Sequence, residues 1–195
     1  MNNERHGFGI LWRKLKSNST EQIKDKRHAS KMSFNCEIYE GLWKNDQREG
    51  NGKLYLATLL PHEKLQSEKG YAERVLIYDG NWTKDKKHGN GRQCYLNGDV
   101  FEGNFENNQP SGFGKMCYKS TGDIYEGEWQ RGVRHGSGQL SRANGDTFKG
   151  NFADNKKNGQ GELIFKNDGM IYEGFWSKDV AQKGIVTIPN FKFRE

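Results

Sequence analysis

The chain has 195 residues and a net charge of +6, with 32% hydrophobic residues but also 5 Trp, 8 Tyr and 11 Phe. So many aromatic residues argue against a disordered chain, and 25 Gly with only 3 Pro argue against collagen and against proline-rich linkers. No apolar run approaches the ~20 residues of a transmembrane helix and no signal peptide is recognisable, so we expect a soluble, cytoplasmic protein.

The N-terminal part combines a fragment of a repeat with a basic segment. Residues 6–9 read HGFG and resemble the second half of the repeat described below, so we interpret residues 1–12 as a partial repeat and 13–37 as a basic insert or loop. The range 13–31 holds most of the net positive charge. It is either a solvated loop or a site for acidic protein tails or anionic lipid. The basic residues concerned are Arg13, Lys14, Lys16, Lys24, Lys26, Arg27 and Lys31.

A repeat of 23 or 24 residues occupies most of the remaining chain. Its first half has the pattern aromatic-x-Gly-x-aromatic, led in turn by Tyr39, Tyr78, Phe101, Tyr125, Phe148 and Tyr172. In the first five copies a Gly-x-Gly pair begins 11 residues after the lead, as at Gly136 and Gly138. Spacers such as KNDQ and NGD separate these halves, and Asn-Gly and Asp-Gly accept the positive φ of tight turns. Each repeat is therefore predicted to form strand, turn, strand, turn.

Alternation at period 2 predicts an all-β fold, a single-layered antiparallel meander of about thirteen short strands. The predicted segments, in chain order, are a repeat at 38–56, an insert at 57–76, repeats at 77–99, 100–123, 124–146 and 147–170, and a degenerate C-terminal capping repeat at 171–195. The insert is expected to form a short helical turn or a loose excursion. The capping repeat contains Pro189, Lys192 and Arg194, residue types that protect a sheet edge.

The glycines are predicted to seat aromatic rings. Tyr125, Gly127 and Trp129 share one face of a strand, and Gly136 and Gly138 are expected on the same face of the next strand. A ring can lie over a neighbouring glycine and bury area that a Cβ atom would block. We call the face that carries these aromatic residues the ring face. No amphipathic helix is predicted to cover it, so it offers a long groove.

The pattern Y-x-G-x-W followed by G-x-G resembles the membrane occupation and recognition nexus (MORN) repeat, over residues 38 to about 188. The resemblance implies a single-layered, twisted antiparallel sheet whose groove takes protein segments. It also implies a scaffold or adaptor in cytoskeletal assemblies, such as the cilium, flagellum, axoneme or sperm structures. The copies led by Phe101 and Phe148 depart from the pattern, because phenylalanine keeps the ring but loses the polar group.

We therefore predict a non-enzymatic scaffold that binds protein partners, such as tubulin or a coiled-coil or helical segment, along the ring face. The predicted aromatic anchors are Tyr78, Trp82, Phe101, Phe105, Tyr125, Trp129, Phe148 and Phe152. Packing within the sheet is the alternative role for these side chains. The alternative function is a peripheral membrane module that binds phosphoinositides through residues 13–31.

Other chemistry is not expected. Gly-x-Gly pairs at a fixed period without a following helix do not match a nucleotide-binding loop. Neighbouring repeats are ~10 Å apart, which is too far for a shared metal ion or a disulfide between equivalent residues. This applies to His6, His88 and His135, and to Cys94 and Cys117. Acidic residues on the face opposite the rings lack the closed cleft of a catalytic carboxylate pair. They are Glu40, Asp79, Glu102, Glu126 and Glu173. We expect no catalytic activity, cofactor, metal ion or nucleic-acid partner.

Overall fold

The computed structural model describes residues 4–15, 36–59 and 71–189, and these residues form one open sheet of thirteen strands whose spatial order follows the sequence. Consecutive strands pair in antiparallel fashion. The strands are β1 (Gly7–Lys14), β2 (Cys36–Lys44), β3 (Gln47–Leu59), β4 (Tyr71–Thr83), β5 (Lys86–Cys94), β6 (Val100–Glu106), β7 (Gln109–Cys117), β8 (Ile124–Gln130), β9 (Val133–Ser141), β10 (Thr147–Ala153), β11 (Lys156–Ile164), β12 (Ile171–Ser177) and β13 (Val180–Thr187). The predicted all-β meander is confirmed.

The chain divides into two compact units. The first unit spans Met1–Asp99 together with Phe105–Asn108, and the second spans Val100–Asn104 together with Gln109–Glu195. Each unit is a run of hairpins of the same kind.

Two-residue turns close the hairpins at one end of the strands. Both central residues have positive φ, for example 50° at Asn45 and 62° at Asp46, and 48° at Asp154 and 67° at Asn155. These angles are those of the turn type that matches the twist of paired strands. The spacer residues Asn, Asp and Gly fit this geometry because they accept a left-handed backbone.

Several glycines seat rings as predicted. In the second unit, the Tyr125 ring lies over Gly127 of its own strand and over Gly138, which pairs with Gly127. A Cβ atom on Gly127 would approach the Tyr125 hydroxyl to 2.7 Å. That hydroxyl donates a hydrogen bond of 3.0 Å to the carbonyl oxygen of Glu128. The Tyr125 ring therefore packs directly on the backbone of the two glycines, at a distance that the Cβ atom of any other residue would prevent.

The first glycine of each Gly-x-Gly pair has a different role, and its placement under a ring was wrong. Gly136 has a φ of +58°, and a Cβ atom there would meet the Glu128 carboxylate and no ring. The register explains this: Gly127 pairs with Gly138 but Trp129 pairs with Arg134, so β9 holds two extra residues. Glycine is used at 136 because the bulge needs a left-handed backbone.

The core is a ladder of aromatic rings on the ring face. In each unit the two aromatic rings of a repeat pack edge to face. The second ring of a repeat also packs edge to face against the lead ring of the preceding repeat. The ring centroids in these pairs are 5.0 to 5.4 Å apart. The tryptophans add a hydrogen bond between repeats: Trp129 Nε1 donates to the Gly114 carbonyl oxygen at 3.1 Å. Phe152 has no N–H group for this bond, as the sequence indicated.

The strands extend beyond some predicted boundaries. Residues 57–59 and 71–76 of the predicted insert belong to β3 and β4, so that part is strand, because the two strands pair up to Leu59 and Tyr71. Residues 60–70 lie outside the described residues, as do 16–35 of the basic insert and the predicted capping residues Lys192 and Arg194.

Candidate functional site

The eight predicted aromatic anchors form the core of the sheet. Their exposed fractions range from 0% to 5%. They are Tyr78, Trp82, Phe101, Phe105, Tyr125, Trp129, Phe148 and Phe152. So little exposed ring surface favours the alternative role, packing within the sheet, because a binding anchor needs area that a partner can cover. The surface offered to a partner on this face is therefore formed by other side chains.

Cationic side chains lie on the rings. In the first unit the Arg5 and Arg48 guanidinium carbons lie 4.1 and 4.2 Å from the ring centroids of Trp43 and Trp82. In the second unit Lys157 Nζ lies 4.4 Å from the Trp176 centroid. Lys87 covers Tyr78 at 5.1 Å, and Arg134 covers Tyr125 and Phe152 at 5.5 Å. Cation–π attraction and the apolar side-chain stems both favour this arrangement.

These cationic residues also clamp neighbouring repeats together. The backbone nitrogen and Nε of Arg48 donate to Asp85 Oδ1 at 3.0 and 3.1 Å, and a terminal nitrogen of Arg48 donates to the Asp85 carbonyl oxygen at 2.9 Å. In return, the Asp85 backbone nitrogen donates to the Arg48 carbonyl oxygen at 3.1 Å. Asp85 is the second residue of the next hairpin turn. Arg48 thus covers a ring and holds the following turn. We call this arrangement, a basic residue bonded to the second residue of the next hairpin turn, the clamp.

The clamp recurs along the chain with one exception. Its backbone bonds link Arg5 to Asp46, Lys87 to Asn108, Arg134 to Asn155 and Lys157 to Asp179. At the remaining position the pair is Pro110 and Gly132, and a single bond of 2.8 Å from the Gly132 nitrogen to the Pro110 oxygen is present. Proline has no N–H group and glycine has no side chain, so the other bonds cannot form.

The charge balance differs between clamps. Arg5 and Arg48 have Asp46 and Asp85 as ion-pair partners, at 2.7 and 3.1 Å. Lys87 and Arg134 meet asparagines at the equivalent position, and within the described residues neither forms an ion pair. These two cations therefore lie on the ring face without a neutralising carboxylate from the clamp.

Lys87 is the most strongly perturbed of these cations. Its Nζ donates to Gln93 Oε1, at a strand position where other repeats have Leu or Met. Burial, and secondarily the Arg48 charge, lower the pKa of Lys87 to about 8. Burial likewise lowers the pKa of Lys157. An anionic group placed beside either ammonium would stabilise its charged form.

The first unit also contains an open cleft on the ring face, with a volume of about 340 Å³. Tyr39, Trp43 and Leu54 line its apolar part. Leu11 also lines the cleft, as do Arg13 and Glu37, whose side chains form an ion pair. Arg13 and Lys14 are the described members of the predicted anionic-partner set. Lys16, Lys24, Lys26, Arg27 and Lys31 lie outside the described residues.

On the opposite face, three of the predicted acidic residues, Glu40, Asp79 and Glu126, pair in register with a lysine, whereas Glu173 pairs with Glu162. Lys53 pairs in register with both Glu40 and Asp79, and its Nζ lies 3.1 Å from Asp79 Oδ2. Lys115 Nζ lies 3.7 Å from Glu126 Oε2. These carboxylates act as cross-strand charge partners that fix the register. Within the described ranges, no three His, Cys, Asp or Glu side chains converge as a metal site, and none of the three cysteines forms a disulfide.

The cations on the rings were missed in the sequence, although they leave a signal there. Each follows the second aromatic residue of its repeat by five positions, as Arg48 follows Trp43 and Arg134 follows Trp129. Basic residues recur at this position in the copies with Arg48, Lys87, Arg134 and Lys157, and the N-terminal half-repeat has Arg5. A basic residue that recurs in phase with buried rings predicts a contact with them.

Comparison with known families gives a match that covers most of the chain. The model of the MORN repeat matches residues 1–14, 39–58, 78–100, 101–122, 125–147 and 148–170. No match was found among curated proteins. No helix in the described part of the chain is long and apolar enough to cross a membrane. The repeat spacing, the hairpins and the ring ladder agree with the family match, and the chain belongs to the MORN-repeat family.

Proposed function

We propose that this protein is a non-enzymatic scaffold or adaptor that binds protein segments along the ring face, and that the cations on the rings make the contact. The observation that carries the proposal is that Lys87 and Arg134 lie on aromatic rings beside asparagines, where the sister position of Arg48 has a carboxylate. A partner segment that carries Asp or Glu side chains supplies the missing negative charge. The rings beneath hold each cation in place, so little side-chain entropy is lost on binding.

The partner class follows from this chemistry. An acidic extended or helical segment bound to the first unit places a carboxylate beside Lys87, and its apolar side chains can enter the cleft lined by Tyr39, Trp43 and Leu54 of the same unit. Acidic tubulin tails and acidic coiled-coil segments both have this character. We propose a cytoskeletal assembly of the cytoplasm as the setting, namely the cilium or flagellum with its axoneme, and the resemblance to MORN-repeat proteins supports this proposal.

The binding test uses the full chain and a labelled glutamate-rich peptide, with its glutamine counterpart as the neutral control. Lys87→Met and Arg134→Met remove a charge while they keep a side chain over the ring. We expect each to weaken binding about fivefold or more, and we expect the affinity to fall with added salt. Lys86→Met and Lys149→Met, on the opposite face, are the matched controls. Equal binding of both peptides, or equal losses in all four variants, contradicts the proposal.

The cellular setting has its own test. Proximity labelling with the full chain in a ciliated cell should recover axonemal or other cytoskeletal proteins, and Lys87→Met with Arg134→Met should reduce their recovery. If neither the parent chain nor the variant recovers such proteins, the cytoskeletal setting is wrong even if acidic peptides bind in solution.

The second candidate is peripheral membrane binding, favoured by the concentration of positive charge in residues 13–31. Clustered basic residues gain about 1 kcal/mol each near an anionic membrane. Co-sedimentation with phosphoinositide-containing vesicles, and with neutral vesicles as control, measures this directly. Replacement of Lys24, Lys26 and Arg27 by Gln should abolish sedimentation with the anionic vesicles. Absence of sedimentation by the parent chain removes this candidate.

A further inference from the structure

Lys157, on β11 of the second unit, is a buried cation whose charge has no partner. The residue is 6% exposed, and its Nζ lies 4.4 Å from the Trp176 ring centroid and 4.9 Å from that of Phe148. Within the part of the chain that the structure describes, this ammonium forms no hydrogen bond and no ion pair. A buried charge of this kind is stabilised when an anion reaches it.

Arg134 brings a second positive charge close to the first. Its guanidinium carbon lies 5.5 Å from the Phe152 centroid, and the rings of Phe152 and Phe148 pack edge to face with centroids 5.3 Å apart. Arg134 and Lys157 therefore lie on neighbouring rings of one repeat, and they come from β9 and β11, the two strands that flank β10. The clamp partner of Arg134 is Asn155, which supplies no negative charge.

Arg142 is the third cation of this region. It follows Leu140 by two positions, and Leu140 pairs with Phe148, so alternation along the chain puts Arg142 on the ring face. Burial lowers the pKa of Lys157, and the charges of Arg142 and Arg134 lower it further, which is expected only of charges that lie near one another. We call Arg134, Arg142 and Lys157 the cation cluster.

Two carboxylates lie near the cation cluster, and both are bonded to backbone groups. Asp146 Oδ1 accepts from the Lys166 backbone nitrogen at 3.0 Å, and Asp179 Oδ1 accepts from the Lys157 backbone nitrogen at 2.9 Å. Neither forms an ion pair with the cluster among the described residues. The charged ends of the three cations are therefore left for a ligand.

The first unit has the same three positions but less unpaired charge. They are occupied there by Arg48, Leu56 and Lys87. Arg48 is neutralised by Asp85 at 3.1 Å and Leu56 is uncharged, so one unpaired cation is left. A carboxylate matches that single charge. The cation cluster of the second unit matches a group with more than one negative charge.

We propose that the cation cluster binds a phosphorylated serine or threonine side chain of the partner segment. A phosphomonoester carries about −1.5 to −2 charges at pH 7 and has three acceptor oxygens, more than a carboxylate offers. Arg134 and Arg142 supply planar guanidinium groups and Lys157 supplies a point charge, and both kinds of group bind phosphate in proteins. The inference rests on the proposed binding of acidic segments along the ring face, and it makes that binding dependent on phosphorylation in the second unit.

Three labelled peptides test the proposal on the full chain. They share one uncharged sequence and carry phosphoserine, glutamate or serine at its centre, and fluorescence anisotropy gives each Kd. We expect the phosphoserine peptide to bind at least about tenfold more tightly than the glutamate peptide, and the serine peptide to bind most weakly.

The outcomes separate this inference from the proposed function. Equal affinities for phosphoserine and glutamate overturn the inference, and so does a failure of the phosphoserine peptide to bind while the glutamate-rich peptide described above does bind. In both cases the proposed function stands. Binding of the phosphoserine peptide without binding of any glutamate peptide supports the cation cluster and contradicts the proposed carboxylate partner.

Two variants locate the site without a change to the rings. Arg142→Tyr removes one charge, and Asn155→Asp gives Arg134 the carboxylate that Arg48 has. Each should weaken binding of the phosphoserine peptide about fivefold or more, while Lys149→Gln, on the opposite face, should leave it unchanged. Urea unfolding checks that the variants fold, and Asn155→Asp is expected to be more stable than the parent. Phosphoserine binding that neither variant weakens overturns the proposal.

A phosphoinositide carries the same chemical group on a lipid, so vesicles provide the last comparison. Sedimentation with phosphoinositide-containing vesicles should be the same for the parent chain and for Arg142→Tyr. Sedimentation that falls in Arg142→Tyr, together with no binding of the phosphoserine peptide, would overturn the proposal and assign the cation cluster to a membrane surface.

Discussion

The clamps formed by Arg48 and Arg134 differ in the hydrogen bonding of the arginine Nε atom. Arg48 Nε donates to the Asp85 carboxylate at 3.1 Å, whereas Arg134 Nε is buried and has no hydrogen-bond partner. The residue that faces Arg134 is Asn155, whose side-chain oxygen already accepts from the Arg134 backbone nitrogen at 2.9 Å. A buried donor without a partner destabilises the folded state by the free energy of its lost hydration.

Asn155→Asp should therefore stabilise the protein by about 0.5 to 1 kcal/mol, because the carboxylate can accept from Nε and neutralise the guanidinium. Urea unfolding at pH 7 measures the change. The ion pair lowers the pKa of the new carboxyl in the folded state, so the gain is present above pH ~4 and disappears as the pH falls through the folded-state value. Asp85→Asn is the mirror control and should destabilise by a similar amount. Equal midpoints for Asn155→Asp and the parent chain contradict this reading of the clamp.

The titration of Lys87 makes the free energy of unfolding depend on pH in the alkaline range. Burial lowers its pKa to about 8, so the unfolded chain binds more protons than the folded chain between pH 8 and about 10.4. Stability from this group therefore rises with pH over that window. Burial raises the pKa of Tyr125 to about 12. Above pH ~10 this tyrosine ionises in the unfolded chain while it stays protonated in the folded chain, so its contribution lowers the stability as the pH rises.

We therefore expect the free energy of unfolding to rise between pH 8 and 10 and to fall above it. Lys87→Met should remove much of the rise and increase stability at pH 7 by on the order of 1 kcal/mol, since no buried charge remains. Guanidinium unfolding across the pH series measures both effects. Lys86→Met, at the neighbouring exposed lysine, should leave the profile unchanged. An unaltered profile in Lys87→Met assigns the pH dependence to other groups.

At the scale of the hairpin, one clamp is incomplete. Pro110 and Gly132 occupy its two positions, and a single backbone bond joins β7 to the turn between β8 and β9. Both residues depart from the repeat at the same contact, so the bond from a backbone nitrogen to a side-chain oxygen, as from Arg134 to Asn155, returns only when both are changed. The positive φ of Gly132, +82°, is one that asparagine accepts.

Pro110→Arg combined with Gly132→Asn should rebuild the clamp, with a coupling free energy of about 1 kcal/mol in the double-mutant cycle. Each single change is expected to recover less than the double variant. Pro110→Arg alone offers a guanidinium to the Gly132 carbonyl oxygen, as Arg134 does to that of Asn155, but no side-chain oxygen accepts from the new backbone nitrogen, and Gly132→Asn alone gains no donor. Urea unfolding of the four proteins gives the coupling. Strictly additive effects would show that the Arg134-type clamp is not a cooperative unit.

The hairpins were predictable from sequence because their signals are local. Period-2 alternation around Tyr125 and the Asn and Asp residues of the turns act within a few residues of the chain. The role of Gly136 was not predictable, since the direction in which a Cβ atom at this position would point depends on two extra residues in β9 relative to β8. The site was misread for a related reason. The side chain of Arg134 folds back over rings of two repeats, and only the paired sheet brings those rings beneath it.

At the scale of the whole chain, the aromatic ladder makes each unit a linear stack. In the second unit Trp176 contacts Phe148 and Tyr172, and Phe148 in turn contacts Phe152. Rings separated by more than one repeat are linked only through the rings between them. Stability in such a stack is a sum of local and nearest-neighbour terms, so damage at one end should stay near that end.

Trp176→Ala should accordingly loosen β10 to β13 and leave β8 protected. Loss of the indole removes its contacts with Phe148 and Tyr172, its 3.4 Å hydrogen bond to the Gly161 carbonyl oxygen and the seat of Lys157. Hydrogen exchange read by mass spectrometry gives the protection strand by strand. The matched variant is Trp129→Ala, within the ladder, where loss of contacts with Phe101 and Tyr125 should destabilise the second unit by about 3 to 5 kcal/mol. If Trp176→Ala instead raised exchange evenly from β8 to β13, the unit would unfold as a single cooperative core, and binding along the ring face would depend on every repeat at once.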